Sequence, residues 1–382
     1  MKTWLRSFSE LSHGQKKIVQ IPPFESCLVS GPPGSGKTQA LVHRASFLVK
    51  KHNVSPERIR LFVCNEILET LLKSEIKRLD LPEKTVISFD RWSLYLYSRH
   101  ISKDLPRIYV NGRIDFEKIR SGVLGILQRK KDLQGCLAYA LVDEGEDLTP
   151  EAVEILGLVA KNITLILDPL QKIHERAAPD SFAADMLNIH SINATLSRDF
   201  RSPFPIAQLA SRFVEDRSRR EKYLSHIRNE QKTFPFSFLC TAPSRELEVD
   251  YLSRYIQLRQ SKEEKIGIVL PTSGLVHSLA KDLEERGVRL EKAMPIDAQN
   301  VIHRPYDFKS LCPKITTYAL AKGLSFDSVL MPFLTEEVLS GIPDERRYRL
   351  IFVGMIRASR WVYLSTVRGE ECREFRLLKS AH

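Results

Sequence analysis

The sequence predicts an α/β protein of two domains, each built on a mostly parallel sheet. Three observations lead to this prediction: a length of 382 residues, apolar runs that alternate with amphipathic stretches, and an interruption of that alternation at residues 175–195. A chain of this length suits two domains that each bury a core. Buried runs separated by helical patterns are typical of parallel sheets with both faces covered. We therefore predict one domain over residues 1–190 and a second over residues 191–382.

The first domain contains a series of apolar runs that have the length of buried strands. These runs are residues 26–31, 59–64, 85–89, 138–144 and 163–168. Between them lie amphipathic stretches such as residues 65–79, whose apolar side chains recur at three- and four-residue steps. Residues 91–135 break the alternation, and we predict that they form a small helical insertion in this domain.

A second series of apolar runs follows the interruption. These runs are residues 192–197, 236–242, 265–271, 314–320, 328–333 and 361–366. Helical patterns at residues 244–260 and 273–287 lie between them. The repeated order of strand and helix predicts a second α/β domain.

The composition is that of a globular protein with a basic surplus. The net charge of +11 favours a polyanionic partner such as nucleic acid. No run reaches the roughly 18 apolar residues that a membrane span needs, and the first residues lack the pattern of a secretion signal. The six cysteines lie far apart, which argues against a zinc site and fits a reducing compartment. We expect a cytoplasmic protein without a membrane partner.

Residues 31–38, GPPGSGKT, have the spacing of a loop that binds phosphate. Glycines let backbone N–H groups converge on a phosphate, and a helix that follows directs its positive end at the same anion. Lys37 would reach the β- and γ-phosphates, and Thr38 would hold Mg²⁺. The loop residues that we predict to hold the nucleotide are Gly31, Gly34, Ser35, Gly36, Lys37, Thr38 and Gln39.

The run at residues 138–144 ends in two acids, Asp143 and Glu144. Beside a phosphate loop, the first acid would hold the Mg²⁺ shell and the second would polarise an attacking water. The alternative is a solvated acidic turn that opens a helix capped by Thr149. The phosphate loop upstream favours the catalytic interpretation, and we expect a structural or capping role for Asp147.

Further polar residues lie where predicted elements end. Asp168 ends the run at residues 163–168, and Gln171 follows it; a carboxylate and an amide at this strand tip could sense the γ-phosphate, although spacing alone favours a surface turn around Pro169. Arg201 lies at a predicted strand-to-helix junction, and Arg357 lies on a predicted helix. An arginine that faces a γ-phosphate stabilises the transition state, although a single arginine more often has a surface or ion-pair role.

The order of these motifs resembles that of the UvrD/Rep-type helicases of superfamily 1. The stretches that carry the resemblance are LSHGQKKIV (11–19), GPPGSGKT (31–38), LFVCNEILETLLKSEI (61–76), TVISFDRW (85–92), LVDEGEDL (141–148), LDPLQKI (167–173), LSRDFRS (196–202), TTYALAKGLSFDSVL (316–330) and RLIFVGMIRA (349–358). Each motif alone is weak evidence for this resemblance. The series of motifs covers nearly the whole chain, and this makes the resemblance specific.

The resemblance implies roles that spacing alone does not assign. Gln15 would hydrogen-bond the adenine base, Gln171 would sense the γ-phosphate, and Arg201 would contact phosphate. Arg357 would be the arginine finger, and Gly323 would belong to the nucleotide site. The residues expected to contact a nucleic-acid strand are Asn65, Ser88, Phe89, His174, Arg176 and Thr317.

The resemblance also implies two RecA-like domains with ATP and Mg²⁺ in the cleft between them. Single-stranded nucleic acid, with DNA favoured over RNA, would lie across both domains. ATP hydrolysis would move the protein along the strand from 3′ to 5′.

The chain departs from the family in ways that leave a second function open. Glu146 stands where the family has Gln, and Ser325 replaces a Glu near the ribose. The large inserted subdomains of relatives are nearly absent, so we expect a compact motor core with weak or partner-dependent unwinding. The alternative is an ATP-sensing regulatory subunit that controls a partner nuclease or effector. A kinase or GTPase would not account for Arg201 and Arg357 in their motif contexts.

Two other stretches are weaker candidates for contact with nucleic acid. For the basic stretch at residues 216–232, a solvated helix face is the favoured interpretation. For Trp92, Tyr95 and Tyr97, packing in a small helical core is favoured over stacking on bases.

Overall fold

A computed structural model describes residues 4–107, 114–174, 176–189, 193–196, 201–227, 237–293 and 306–380. They form two compact units, one containing the described residues up to Leu196 and the other those from Arg201 onward. Each unit has a six-stranded sheet. The predicted α/β fold with two RecA-like, parallel-sheet domains is confirmed. Within these described ranges, none of the helices combines the length and the hydrophobicity of a membrane span.

The sheet of the first unit contains the strands that lead into the phosphate loop and the acids. Its strands are β1 (Cys27–Ser30), β2 (Ile59–Val63), β3 (Val86–Ser88), β4 (Leu137–Val142), β5 (Ala160–Leu167) and β6 (Asn193–Thr195). They lie in the order β3-β2-β4-β5-β1-β6, with parallel pairing. Because the carboxyl ends of parallel strands share one edge, the residues that follow β1, β4 and β5 meet there.

Strand β6 corrects one prediction. The sequence predicts residues 192–197 as the opening strand of the second domain, but β6 pairs with β1 in the first sheet, where Leu28 lies opposite Asn193. The backbone N–H of Leu196 extends this pairing by donating to the Ser30 carbonyl at 2.8 Å. A three-residue strand at the seam carries too little pattern to show which sheet it joins.

Helices connect the strands of the first unit. They are α1 (His13–Val19), α2 (Lys37–His52), α3 (Glu66–Ile76), α4 (Phe89–His100), α5 (Phe116–Arg129), α6 (Pro150–Val159) and α7 (Asp180–Met186). Helices α4 and α5 form the predicted helical insertion. Ile119, Val123 and Leu127 are spaced four residues apart on α5 and are fully buried, so one face of α5 covers the core. Trp92 of α4 packs in the same core, whereas Tyr95 is 52% exposed.

The second unit has its own parallel sheet. Its strands are β7 (Ser237–Ala242), β8 (Ile266–Leu270), β9 (Glu291–Lys292), β10 (Lys314–Thr317), β11 (Phe326–Met331) and β12 (Ala358–Val367), in the order β7-β12-β11-β8-β10-β9. Its helices are α8 (Phe204–Ala210), α9 (Arg217–Ser225), α10 (Arg245–Gln260), α11 (Ser273–Glu285), α12 (Glu336–Leu339), α13 (Asp344–Met355) and α14 (Arg373–Lys379). The basic helix α9 is mostly exposed, and Tyr223 anchors it against Phe352 with ring centroids 5.5 Å apart.

A buried arginine fixes the helix that follows the phosphate loop. Arg44 of α2 is fully buried, and its Nε donates to Thr164 Oγ1 of β5 at 3.0 Å. One terminal nitrogen donates to the carbonyls of Ile18, Val19 and Ile21, where α1 ends. Carbonyls at a helix end have no partner within the helix, so a cation there satisfies them and favours the helix dipole. Arg44 therefore ties α1, α2 and β5 together.

A buried carboxyl in the second unit gives a pH-dependent prediction. Glu248 of α10 is fully buried, and its Oε1 accepts hydrogen bonds from Phe333 N at 2.8 Å and Ser365 Oγ at 2.6 Å. Burial raises the pKa of Glu248 above its ordinary value of 4.5. The folded protein therefore holds this proton at pH values where the unfolded chain has lost it, and stability falls as the pH rises above 4.5.

We expect Glu248→Gln to stabilise the protein near neutral pH, since glutamine keeps both hydrogen bonds at Oε1 without the charge. The gain in melting temperature at about pH 8 should be roughly 2–4 °C, and it should vanish at about pH 4, where both forms are neutral. Thermal unfolding monitored by circular dichroism at both pH values measures this gain in melting temperature. Glu246→Gln, an exposed acid on the same helix, is the matched control and should change nothing. An equal gain in melting temperature at both pH values would contradict the proposed coupling between the charge of Glu248 and stability.

Candidate nucleotide-binding site

The loop between β1 and α2 has the backbone that its glycines predict. Gly34 and Gly36 adopt φ angles of 74° and 80°, in the left-handed region that disfavours other residues. A Cβ on Gly36 would lie 2.0 Å from Nε2 of Gln15, so this position also lacks room for a side chain. Helix α2 begins directly afterwards at Lys37, with its N-terminal end at the loop.

Lys37 occupies the centre of the loop and is 6% exposed. Its Nζ donates to the Gly31 carbonyl at 2.8 Å, the Pro32 carbonyl at 2.9 Å and Asp168 Oδ2 at 2.9 Å. An ammonium group has three N–H donors, so these contacts use all of them. Lys37 is thus held by two carbonyls and one buried carboxylate.

Asp168 is the residue of this site that sequence reasoning did not select. It lies immediately after β5 and is 1% exposed. Besides Lys37, its Oδ2 accepts from Gln171 Nε2 at 2.6 Å, and its Oδ1 accepts from Leu170 N at 3.2 Å. The available signal was an acid at the end of a buried strand, whereas the favoured interpretation was a surface turn. Burial of both Asp168 and Gln171 corrects that interpretation.

A hydrogen bond joins Thr38 to Asp143, the two residues that the sequence predicts as ligands of Mg²⁺. Thr38 Oγ1 donates to Asp143 Oδ2 at 2.6 Å, although the two residues are 105 positions apart in the chain. Burial, with a smaller effect from neighbouring Glu144, raises the pKa of Asp143 to about 7. Within the described ranges, Asp143 Oδ1 is buried and has no hydrogen-bond partner.

Glu144 has a strained backbone beside this pair. Its φ of 54° is in the left-handed region, which is uncommon for a residue with a side chain. Such conformations cost about 1–3 kcal/mol and cluster at functional sites. Glu144 is 7% exposed, so its carboxylate is held near Asp143 rather than in solvent. Thr149 caps α6 by accepting from Ala152 N, as the alternative interpretation proposed, but burial of Asp143 and Glu144 does not fit the solvated turn of that alternative.

The side chains of Thr38 and Asp143 fit a magnesium ion. A hydroxyl and a carboxylate are oxygen ligands of the kind that Mg²⁺ prefers, and Asp143 Oδ1 is a buried acceptor that a cation would satisfy. A bound divalent cation favours the charged form of a carboxyl group whose pKa is otherwise raised. Thr38 and Asp143 would therefore hold the ion, which would neutralise charge on phosphate oxygens.

The two remaining acids of the motif have structural contacts. Glu146, which replaces the family's Gln, is 1% exposed, and its Oε2 accepts the backbone N–H of Asp168 at 2.9 Å. Asp147 Oδ1 accepts the backbone N–H groups of Ile173 and His174 at 2.9 and 3.1 Å. Both acids thus fix the turn that follows β5, in agreement with the structural role expected for Asp147.

Gln15 contacts the loop. Its Oε1 accepts from Ser12 N at 2.8 Å, and its Nε2 donates to the carbonyls of Ser35 and Gly36 at 3.1 and 3.3 Å. These bonds engage both ends of the amide, so this conformation supports the loop and does not offer the amide to a base. Gln39 lies on α2, and its Nε2 donates to the Trp4 carbonyl at 2.8 Å.

The residues predicted to contact a nucleic-acid strand divide into buried and exposed groups. Phe89 is 7% exposed and packs edge-on against Phe62, which corrects its assignment as a strand contact. Ser88 is also buried, and its backbone N–H donates to Glu69 Oε2 at 2.8 Å. Asn65 caps α3 by accepting from Leu68 N at 2.9 Å. The sequence could not separate such packing and capping roles from contact with a strand.

Two of the predicted strand contacts do face solvent. His174 is exposed, and Arg176 is 74% exposed in a surface ion pair with Glu117 of α5. Both follow Gln171 within a few residues. An exposed surface ion pair contributes little to stability, so Arg176 remains accessible to another anion.

The second unit contains the remaining predicted nucleotide residues and Thr317, the remaining predicted strand contact. Arg201 is half-buried ahead of α8, Thr317 ends β10 with 6% exposure, and Gly323 has a φ of 81°. Arg357 is fully buried and follows α13, which ends at Met355, so the prediction that it lies on a helix is corrected.

The Arg357 guanidinium contacts the end of α13. Its Nε donates to the Val353 carbonyl at 2.9 Å, and a terminal nitrogen lies 3.5 Å from the Leu324 carbonyl. A cation at the C-terminal end of a helix satisfies its last carbonyls and is favoured by the helix dipole. Arg357 thus has a structural contact in addition to any contact with phosphate.

The fold and the site define a class of protein. A glycine loop between a strand and a helix, with acids at the ends of neighbouring strands, is the arrangement of P-loop nucleotide-binding proteins. The loop, Lys37, Thr38 and Asp143 lie together within the first unit.

Comparisons with known proteins indicate which P-loop proteins this chain is similar to. The family described as the UvrD/REP helicase N-terminal domain matches residues 11–67. The ATP-dependent DNA helicase srs2 of Schizosaccharomyces pombe is 26% identical over 219 residues, covering 50% of this chain and 23% of that protein. The crystal structure of the C-terminal domain of a possible DNA helicase from Lactobacillus plantarum matches with a TM-score of 0.35 and 20% identity, covering 48% of this chain and 95% of that one.

The first two comparisons confirm the predicted resemblance to UvrD/Rep-type helicases. The family match contains Gln15, the whole phosphate loop and Asn65. The alignment with the curated relative spans 23% of the length of that protein.

Proposed function

We propose that the chain is an ATP hydrolase that acts on single-stranded nucleic acid as a compact motor of the UvrD type. The observation that carries this proposal is the assembly of buried Lys37 and Asp143 with half-buried Thr38 at one edge of a parallel sheet. Lysine and a glycine loop bind phosphates, and a hydroxyl with a carboxylate holds Mg²⁺. These residue types converge in P-loop hydrolases, and the family resemblance favours a motor over other members of that class.

In this proposal each residue of the first unit has a defined task. The loop glycines and Lys37 bind the β- and γ-phosphates of ATP. Thr38 and Asp143 hold Mg²⁺, and Glu144 accepts a proton from the attacking water as general base. Gln171 orients that water or contacts the γ-phosphate. Arg201 and Arg357 of the second unit stabilise charge in the transition state, an effect that is large in related chemistry.

Single-stranded DNA is the proposed substrate, and 3′ to 5′ is the proposed direction. The basic surplus of the chain suits a polyanion, and the matched relative is named as a DNA helicase. The exposed His174 and Arg176 follow Gln171, which links the nucleotide site to a surface that could contact a strand.

The alternative proposal is an ATP-sensing subunit that controls a partner nuclease or effector. The specific observation in its favour is the burial of Phe89, because one fewer exposed aromatic side chain remains to stack on bases. In that case the chain would bind and hydrolyse ATP without moving along a strand.

Steady-state ATP hydrolysis, with and without single-stranded DNA and then RNA, tests the two proposals. A motor should hydrolyse ATP several times faster with a strand, and should displace streptavidin from a biotin at the 5′ end but not at the 3′ end. Activity that no strand changes would favour the regulatory subunit. The Arg176→Ala variant should need more DNA for half-maximal stimulation, whereas Lys50→Ala, an exposed position on α2, is the matched control.

A further inference from the structure

Asp168 is a buried acid whose contacts the proposed hydrolysis does not use. Its carboxylate is 1% exposed and lies 2.9 Å from Lys37 Nζ, the group that would bind phosphate. The backbone N–H of Asp168 donates to Glu146 Oε2, so a second buried acid fixes its main chain in this position.

A phosphate cannot bind Lys37 while all present contacts remain. The three donors of the ammonium group are taken by the carbonyls of Gly31 and Pro32 and by Asp168 Oδ2. Of these acceptors, only Asp168 carries a full negative charge. Two anions beside one buried ammonium repel each other, so the carboxylate is the acceptor that an incoming phosphate displaces.

Asp168 has partners that keep it in place after this exchange. Gln171 Nε2 donates to the same Oδ2 at 2.6 Å, and Leu170 N donates to Oδ1 at 3.2 Å. The carboxylate therefore keeps two hydrogen-bond donors after Lys37 turns to the phosphate, and it remains near that phosphate. It continues to oppose the bound anion rather than moving into solvent.

We propose that Asp168 competes with the phosphates of a nucleotide for Lys37 and thereby weakens nucleotide binding and promotes release of ADP. This inference rests on the nucleotide function proposed above and adds a regulating residue to that site. Asp168 is a positioning residue in this account, because it acts through Lys37 and does not contact the reacting atoms.

The test is equilibrium binding of ADP to the full chain and to Asp168→Asn. Asparagine keeps the shape of Asp168 and the bond from Leu170 N, and Gln171 can rotate its amide to pair with it. We expect the variant to bind ADP with a fluorescent ribose label about tenfold more tightly or better. Fluorescently labelled adenosine, which has no phosphate, should bind both proteins equally.

Two further variants keep the test decisive. Asp168→Ser also removes the charge, and its hydroxyl can accept from Leu170 N, so it replaces the asparagine variant if that protein does not fold. Glu146→Gln neutralises the adjacent buried acid, keeps the bond from Asp168 N and leaves the ion pair between Asp168 and Lys37 in place. Its effect on ADP binding should be several-fold smaller than that of Asp168→Asn.

The outcomes distinguish failure of the competition by Asp168 from failure of the nucleotide site itself. Tighter ADP binding with unchanged adenosine binding supports competition by Asp168. Unchanged or weaker ADP binding in a folded neutral variant, or an equal effect from Glu146→Gln, would overturn it. Failure of the unaltered protein and of all three variants to bind ADP would overturn the nucleotide site, and this inference with it.

Discussion

Replacement of Lys37 by alanine is expected to reduce ATP hydrolysis by at least about a hundredfold, the size of effect that loss of one preorganised transition-state contact produces. Lys37 is the cation that the phosphate loop holds at its centre. Steady-state release of phosphate at saturating ATP measures the loss.

The same substitution should also destabilise the protein, because it leaves the Asp168 carboxylate buried without its ammonium partner. Removal of one partner of a buried pair costs about 3–5 kcal/mol. The double variant Lys37→Ala, Asp168→Asn should recover most of the melting temperature, since the neutral amide does not need a cation, but should remain inactive. Recovery of activity as well would show that Lys37 serves only to neutralise Asp168.

Lys50→Ala is the matched control for these experiments. Lys50 lies on the same helix, is 47% exposed and pairs with Asp80 at the surface. A surface pair of this kind contributes about 0–1 kcal/mol, so neither stability nor turnover should change measurably. Equal losses in Lys50→Ala and Lys37→Ala would contradict the assignment of the phosphate site.

Replacement of Arg357 should have the other large effect, because this residue has both a structural contact and a proposed catalytic one. If its guanidinium stabilises the transition state, Arg357→Ala should lose about a thousandfold in hydrolysis. It should also lose about 2–3 kcal/mol of stability, since the Val353 carbonyl loses a buried donor. Single-turnover hydrolysis and thermal unfolding measure the two losses separately.

Arg357→Lys separates the structural contact of Arg357 from its proposed catalytic contact. Lysine keeps the charge and can donate to the Val353 carbonyl, so it should retain most of the stability. It cannot reproduce the planar fork of the guanidinium, so hydrolysis should stay low. Arg201→Ala, at a half-buried position, is the comparison variant and should reduce hydrolysis with a smaller loss of stability. Normal ATP hydrolysis by a folded Arg357→Ala variant would show that Arg357 is not an arginine finger.

Local features of the fold and site followed from the sequence because they depend on neighbouring residues. The positive φ angles of Gly34 and Gly36 are a backbone requirement that glycine spacing records directly. Thr149 was considered as a helix cap only within the alternative interpretation of the acidic motif, and it does accept from Ala152 N. Buried strands such as β5 were visible as apolar runs.

The features that could not be predicted from the sequence depend on contacts between distant parts of the chain. Lys37 and Asp168 are 131 positions apart, and no local pattern indicates that they pair. Phe89 follows a strand in a motif that resembles a strand-binding segment, yet the insertion and β2 enclose its ring. Gln15 supports the loop because α1 packs beside α2, which is a tertiary contact that spacing does not encode.

The buried Arg44 has a practical consequence for handling the protein. Its bonds go to a hydroxyl and to carbonyls at the end of α1, so its stabilising effect does not depend on an exposed ion pair that dissolved salt would screen. Contacts between lysine or arginine side chains and phosphates of a nucleic acid weaken steeply with salt. Washing at about 1 M salt should therefore strip co-purifying nucleic acid while the scaffold beneath the phosphate loop stays intact.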